Sequence, residues 1–346
     1  MGISGALGAA VALADTEPER ALELSAEAVQ TAQQTGDVWA EVLARFVEAA
    51  LVWEVRGFEA GTAAFVEHEA ASEALLQAQA DADTRAAVLA NQVDGHHYLA
   101  ARLAKRGTAH IDGAIAAIER LRARELRTAL LEGQVLPEPE PATAARLHEL
   151  AQQITALNTR LGEAESSEQR QQMTLEKEAL VAEESRLRDA LLDPDLSAPP
   201  PTLQALQAEL EDGEVLVAFQ TPPVLSQYPR LGAQPWALAV TREAVGVVPL
   251  PERRSLESLV LTFAGLYEDE GAGEVARGRA GAAVHRQLLA PALASVGRSE
   301  LPERLVVIPD GPLHGLPFSA LYAGDAMLGA ELRLSRGASL TTWLAQ

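Results

Sequence analysis

Asp310 and His314 are the ionisable pair whose placement comes nearest to a reaction site. They lie in Pro309-Asp310-Gly311-Pro312-Leu313-His314-Gly315, directly after the apolar run Leu305–Ile308. A carboxylate and an imidazole at that spacing could share a proton or orient one another. Loops leaving the carboxyl ends of buried strands often carry the active sites of α/β proteins. No nucleophile accompanies the pair, however, and the same residues suit a tight strand exit: Asp310 as acceptor of backbone N–H groups, Gly311 tolerant of positive φ, Pro312 and Pro317 as stiffeners. The sequence therefore predicts a structural loop, with Asp310 accepting backbone N–H bonds and His314 packing or bonding locally.

Other chemistry is harder to assemble. His96-His97, with Asp94 and His110 nearby, suggests metal ligation, but neighbours on a helix point about 100° apart and do not converge. Ser226, Ser319, Ser335 and Ser339 lack the Gly-x-Ser-x-Gly setting of a hydrolase nucleophile. Cysteine is absent from all 346 residues, which removes disulfides, thiolate metal sites and a cysteine nucleophile from this chain. No catalytic, cofactor-binding or metal-binding residue is expected, and no cofactor.

The formal charge is -21, and Lys105 and Lys177 are the two lysines, so a phosphate backbone is a disfavoured partner. No stretch of about 18 uncharged apolar residues suggests a membrane span. Met1–Ala14 has no basic segment and reads as an alanine-rich helix rather than a secretory signal. The expected compartment is the cytoplasm.

Residues 17–131 are helical in pattern, with candidate helices at Pro18–Thr35, Val38–Arg56, Ala60–Gln79, Thr84–Lys105 and Ile111–Leu131. Similar lengths and short joints predict stacked helical hairpins with a degenerate repeat, longer than the 34-residue tetratricopeptide period. Such a stack leaves a surface for a protein or peptide partner. Trp39, Phe46, Trp53 and Phe58 recur at helical spacing and are expected to pack between helices. A Pro-Glu-Pro-Glu-Pro run ends this array.

A second helical segment, 142–193, carries Leu147, Leu150, Ile154, Leu157 and Leu161 at spacings of three and four, then Met173, Leu180 and Leu187 at seven. Two antiparallel helices or one bent helix would both fit. From 202 to 346 the period changes. Thr202 is placed to cap a helix over Leu203–Leu210. Val215–Phe219, Trp236–Val240, Val245–Leu250 and Leu305–Ile308 read as strands, and Ser255–Tyr267 and Ala280–Leu293 as helices, giving an α/β alternation.

Four stretches of this last segment resemble the first half of a CHAT domain, the caspase-like domain found after tetratricopeptide repeats. They are Leu203-Gln204-Ala205-Leu206 through Phe219, Trp236-Ala237-Leu238-Ala239-Val240-Thr241-Arg242-Glu243, His285-Arg286-Gln287-Leu288-Leu289-Ala290-Pro291-Ala292-Leu293, and Leu305 through Leu321 with its Pro-Asp-Gly loop. Upstream, Ala114–Leu126 resembles the last repeat helix that precedes such domains. In the peptidase members a histidine and a cysteine follow the region matched here, so neither can be carried to a residue of this chain. The resemblance implies that His314 is structural and that Ser335–Leu340 stands just before the missing half. It also implies that Leu305–Ile308 lacks the strands that should pair with it.

The expected fold is thus α+α/β: a tetratricopeptide-like array, a helical hairpin or coiled-coil linker, and an incomplete caspase-like domain. The expected function is protein binding by the repeats, joined to a CHAT domain whose intact form would be a regulated cysteine endopeptidase. The alternative is a noncatalytic scaffold or interaction protein.

Overall fold

A computed structural model describes residues 2–78, 95–132, 140–163, 199–223, 231–268 and 273–345, with 173, 176, 179, 180, 183, 187 and 228. Residues 84–94 of the expected helix Thr84–Lys105, the proline-rich run at 133–139, the Gly-Glu-Ala-Glu junction beyond 163, the 193–198 boundary and Ser226 lie outside the described residues. Packing divides the chain into two compact units, Met1–Val93 with Arg122–Ala198, and Asp94–Leu121 with Pro199–Gln346. The protein is largely helical with a small mixed sheet.

In the first unit, α1 (Ile3–Leu13), α2 (Pro18–Thr35), α3 (Val38–Arg56) and α4 (Phe58–Ala78) pack in sequence, and α1 also touches α3. Pro18 starts α2 at a position where the missing N–H is not needed. Gly36 ends it in the left-handed region, and Asp37 then caps α3 by accepting the Ala40 N–H at 3.0 Å. Phe46, Trp53 and Phe65 are buried between α3 and α4, with Phe58 edge-on to Trp53 at 5.4 Å. Gly61 is required there, because a Cβ would stand 2.7 Å from the Trp53 backbone. Trp39 departs from the expected core role: it sits in the first turn of α3 and is 40% exposed.

Helix α5 (95–104) and α6 (Ile111–Glu132) follow, then α7 (Pro141–Glu163). Arg146 on α7 donates to Glu183 at 2.8 Å, in a helical segment 37 residues further on. One straight helix would separate them by about 55 Å. The chain therefore reverses, and pairing 146 with 183 brings Leu150 level with Leu180 and Leu157 level with Met173. Leu150 and Leu157 are buried accordingly.

The second unit holds a five-stranded sheet of β1 (Glu214–Gln220), β2 (Trp236–Val240), β3 (Val245–Pro249), β4 (Arg304–Ile308) and β7 (Arg333–Arg336), in the order β3-β2-β1-β4-β7. β1, β2 and β3 are antiparallel neighbours, whereas β1, β4 and β7 run parallel. A two-stranded ribbon, β5 (Tyr322–Ala323) and β6 (Ala326–Met327), stands apart. Val215, Val217, Phe219, Leu305 and Val307 share a core with Leu256, Val260 and Phe263 of α9 (Arg253–Glu268) and Val284, Leu288 and Leu289 of α10 (Glu274–Ser295). Leu216, Ala218, Leu238, Val306 and Ile308 on the opposite face are buried too. α8 (Leu203–Glu209), α11 (Leu328–Glu331) and α12 (Leu340–Leu344) complete the unit.

The expected lack of pairing at Leu305–Ile308 is corrected. β4 lies between β1 and β7 and is buried throughout 305–308. Arg333-Leu334-Ser335-Arg336 escaped recognition as its partner because a four-residue edge strand with one apolar side chain carries almost no periodic signal.

Candidate functional site

The carboxyl ends of the parallel strands β1 and β4 bring Thr221 and Asp310 together. Asp310 follows β4 by two residues and Thr221 follows β1 by one, and the register Ala218↔Ile308 sets the two exits side by side. Asp310 Oδ2 accepts a short bond from the Thr221 N–H and a 2.9 Å bond from the Thr221 hydroxyl. Arg253 Nη1, from the first turn of α9, donates to the Thr221 carbonyl, while its Nε donates to Glu257 Oε1 at 2.8 Å. Gly311, at φ 50°, lies against this cluster: a Cβ there would come within 2.4 Å of Thr221 Oγ1.

This geometry clasps the ends of two strands and the start of a helix. Its one hydroxyl belongs to Thr221, which is buried, and that hydroxyl already donates to the carboxylate. A nucleophile needs access to substrate and a base that takes its proton in the productive direction; a buried Thr221 has no such access. As expected from sequence, Asp310 accepts a backbone N–H, although the donor belongs to another strand rather than to its own loop. His314 is exposed in the short 3-10 turn Gly311–Gly315, and its carbonyl accepts from Arg336 Nη2 at 3.0 Å. Asp310 precedes the turn that carries His314.

A second polar constellation was not anticipated. Glu119 of α6 is 2% exposed, and its carboxylate accepts from Leu340 N at 3.2 Å, Thr341 N at 2.9 Å and Thr341 Oγ1 at 2.7 Å. Ser339 completes the same helix start by a reciprocal capping box with Thr342. Two turns earlier on α6, Asp112 Oδ1 accepts the Leu203 N–H at 2.6 Å, beside the Thr202 cap of α8. The Ser339-x-x-Thr342 pattern could have signalled a helix start; nothing local points to Glu119.

His96 and His97 are buried on α5, whereas Asp94 lies outside the described residues. Among the described residues, no group of three or more His, Cys, Asp or Glu is placed to hold a metal ion. An open cleft of about 450 Å³ between α9 and α10 is lined by Arg254, Ser255, Ser258, Leu259, Thr262 and Gln287. It offers hydroxyls and one guanidinium but no carboxylate or imidazole to act as a base. No helix among the described residues is long and apolar enough to cross a membrane. The chain matches no family model, no curated protein and no solved structure.

Proposed function

We propose that the chain is a noncatalytic protein-interaction or scaffold protein whose helical unit engages a protein or peptide partner. The observation that carries this reading is the Asp310 clasp: the residue most suited to chemistry spends one carboxylate oxygen on two bonds to Thr221. The successive packing of α1 to α4, with α1 reaching α3, supports a tetratricopeptide-like stack, since each hairpin of such a stack buries its apolar face on the next. Exposed Trp39 and Val66 are available to a partner on that unit.

The test uses the full chain. Helical and extended peptides drawn from candidate partners should bind it, and Trp39→Ser or Val66→Ser should weaken that binding while leaving the unfolding midpoint nearly unchanged. Hydrolysis of a peptide panel by the full chain, abolished by Asp310→Asn without loss of stability, would overturn the noncatalytic reading.

The second reading is that 202–346 is the first half of a CHAT-type domain whose intact parent is a regulated cysteine endopeptidase. It is supported by where the resembling stretches fall: in order on β1, β2, α10 and β4 with its Pro-Asp-Gly exit. Any cysteine nucleophile would then come from outside these 346 residues, none of which is cysteine. Coding sequence for a histidine strand and a cysteine strand directly downstream would support it.

A further inference from the structure

We infer that the cleft between α9 and α10 is a binding site for a small organic phosphate. Both helices belong to the sheet unit, so this assignment and partner binding by the helical unit can fail separately. Arg254, Ser258 and Thr262 recur every four residues and form one stripe along α9. Ser255 and Leu259 stand beside that stripe, and Gln287 of α10 closes the far wall of a space of about 450 Å³. Such a volume suits a small organic ligand and exceeds what a bare inorganic anion fills. Leu259 is half-buried, and the five polar lining residues are exposed.

The chemistry of the lining selects the ligand. Arg253 is committed, its Nε to Glu257 and its Nη1 to the Thr221 carbonyl, whereas Arg254 beside it has no ion pair or hydrogen bond among the described residues. On other helices Thr31, Thr62 and Ser295 donate their hydroxyls to carbonyls of the preceding turn. The Ser258 and Thr262 hydroxyls make no such bond and stay free for a ligand. The lining thus offers a guanidinium, three hydroxyls and an amide, with no carboxylate to attract a cation or repel an anion. Two arginines and two glutamates lie on α9, and three arginines and one glutamate on α10, so the pair of helices is positive in a chain of net charge -21. A guanidinium matches two phosphate oxygens at once. The hydroxyls and the amide both donate and accept, which serves the remaining phosphate oxygens and the hydroxyls of the carbon skeleton they esterify. A carboxylate ligand, with two oxygens, would leave most of these donors unused.

Glycerol 3-phosphate, inorganic phosphate and glycerol would each be titrated into the full chain by isothermal titration calorimetry at low salt. Glycerol 3-phosphate should bind with Kd of about 0.1–1 mM, inorganic phosphate at least about tenfold more weakly, and glycerol not measurably. Arg254→Gln should weaken glycerol 3-phosphate about tenfold, and Ser258→Ala combined with Thr262→Val about threefold. Melting temperatures should stay nearly unchanged, because these side chains make no bonds within the protein. Arg279→Gln removes an exposed arginine of α10 that does not line the cleft, and it should leave the affinity as it is. That control separates the cleft from general attraction of anions to the two helices. Absence of binding, equal affinity for inorganic phosphate, which would mean an adventitious ion only, or equal losses in Arg254→Gln and Arg279→Gln would each overturn the inference. Tighter Arg254-dependent binding of a phosphoserine peptide, or of vesicles containing phosphatidic acid, would overturn the small-molecule assignment.

Discussion

Asp112 and Glu119 stand seven residues apart on one face of α6, and each accepts main-chain N–H bonds at the first turn of a helix: Asp112 from Leu203, Glu119 from Leu340 and Thr341. Seven residues are two turns, so a single helix face presents two carboxylates to two helix starts. The first turn of a helix has unpaired N–H groups and a partial positive charge, and both features favour a carboxylate. The first half of α6 thereby belongs with the sheet.

Glu119→Ala should leave buried N–H groups without acceptors and lower stability by about 2–3 kcal/mol, the scale of hydrogen bonds to a charged partner. Glu119→Gln keeps one acceptor oxygen and should lose less. Urea denaturation measures both. Limited proteolysis should cut near residues 337–345 faster in the alanine variant than in the parent, and equal rates would count against the capping role.

Two glycines separate a backbone cost from a packing cost: Gly324 in the turn between β5 and β6, and Gly311 at the exit of β4. Gly324→Ala, at φ 64° with nothing nearby, should cost the left-handed backbone penalty of about 1–2 kcal/mol. Gly311→Ala, at φ 50°, should cost more, because its Cβ also meets Thr221 Oγ1. Equal melting temperatures for the two variants would contradict the tight Asp310–Thr221 clasp.

His285 is buried on α10, and burial, with Arg286 beside it, lowers its pKa from the ordinary value of 6.5. The unfolded chain then takes up a proton at a pH where the folded chain does not. Stability from this group is full above 6.5 and falls as pH drops from there toward the lowered folded value, with a slope of at most about 1.4 kcal/mol per pH unit. Melting temperatures of the parent and His285→Gln between pH 7 and pH 5 would show whether the replacement flattens that decline.

Glu48 on α3 has its pKa raised, first by burial and then by Glu67, with Arg45 opposing. A raised carboxylate is most favourable when protonated, below its ordinary value of 4.5, and becomes costly as pH rises through the folded value. Glu48→Gln should therefore raise the melting temperature at pH 7, and the gain should vanish by about pH 4. A gain independent of pH would assign the effect to packing instead.

Where structure follows from neighbours in the chain, the residues alone were enough. Pro18, Gly36 and Asp37 delimit α2 and α3 at the expected residues, Thr202 caps α8, and the apolar runs at Trp236–Val240 and Leu305–Ile308 became β2 and β4. Each depends on dihedral preference, a cap within a few residues or a short periodic pattern. The Asp310 turn was legible for the same reason, down to its role as an acceptor. Its donor was not, because Thr221 is 89 residues away and reaches Asp310 only once β1 and β4 pair in register. β7 carries too few apolar residues to declare itself and becomes a strand by bonding to β4. Glu119 looked like one more charge on a helix surface. Its burial against Thr341, 222 residues later, required the sheet unit to close around it, and no local pattern of charge or hydropathy encodes a contact of that range.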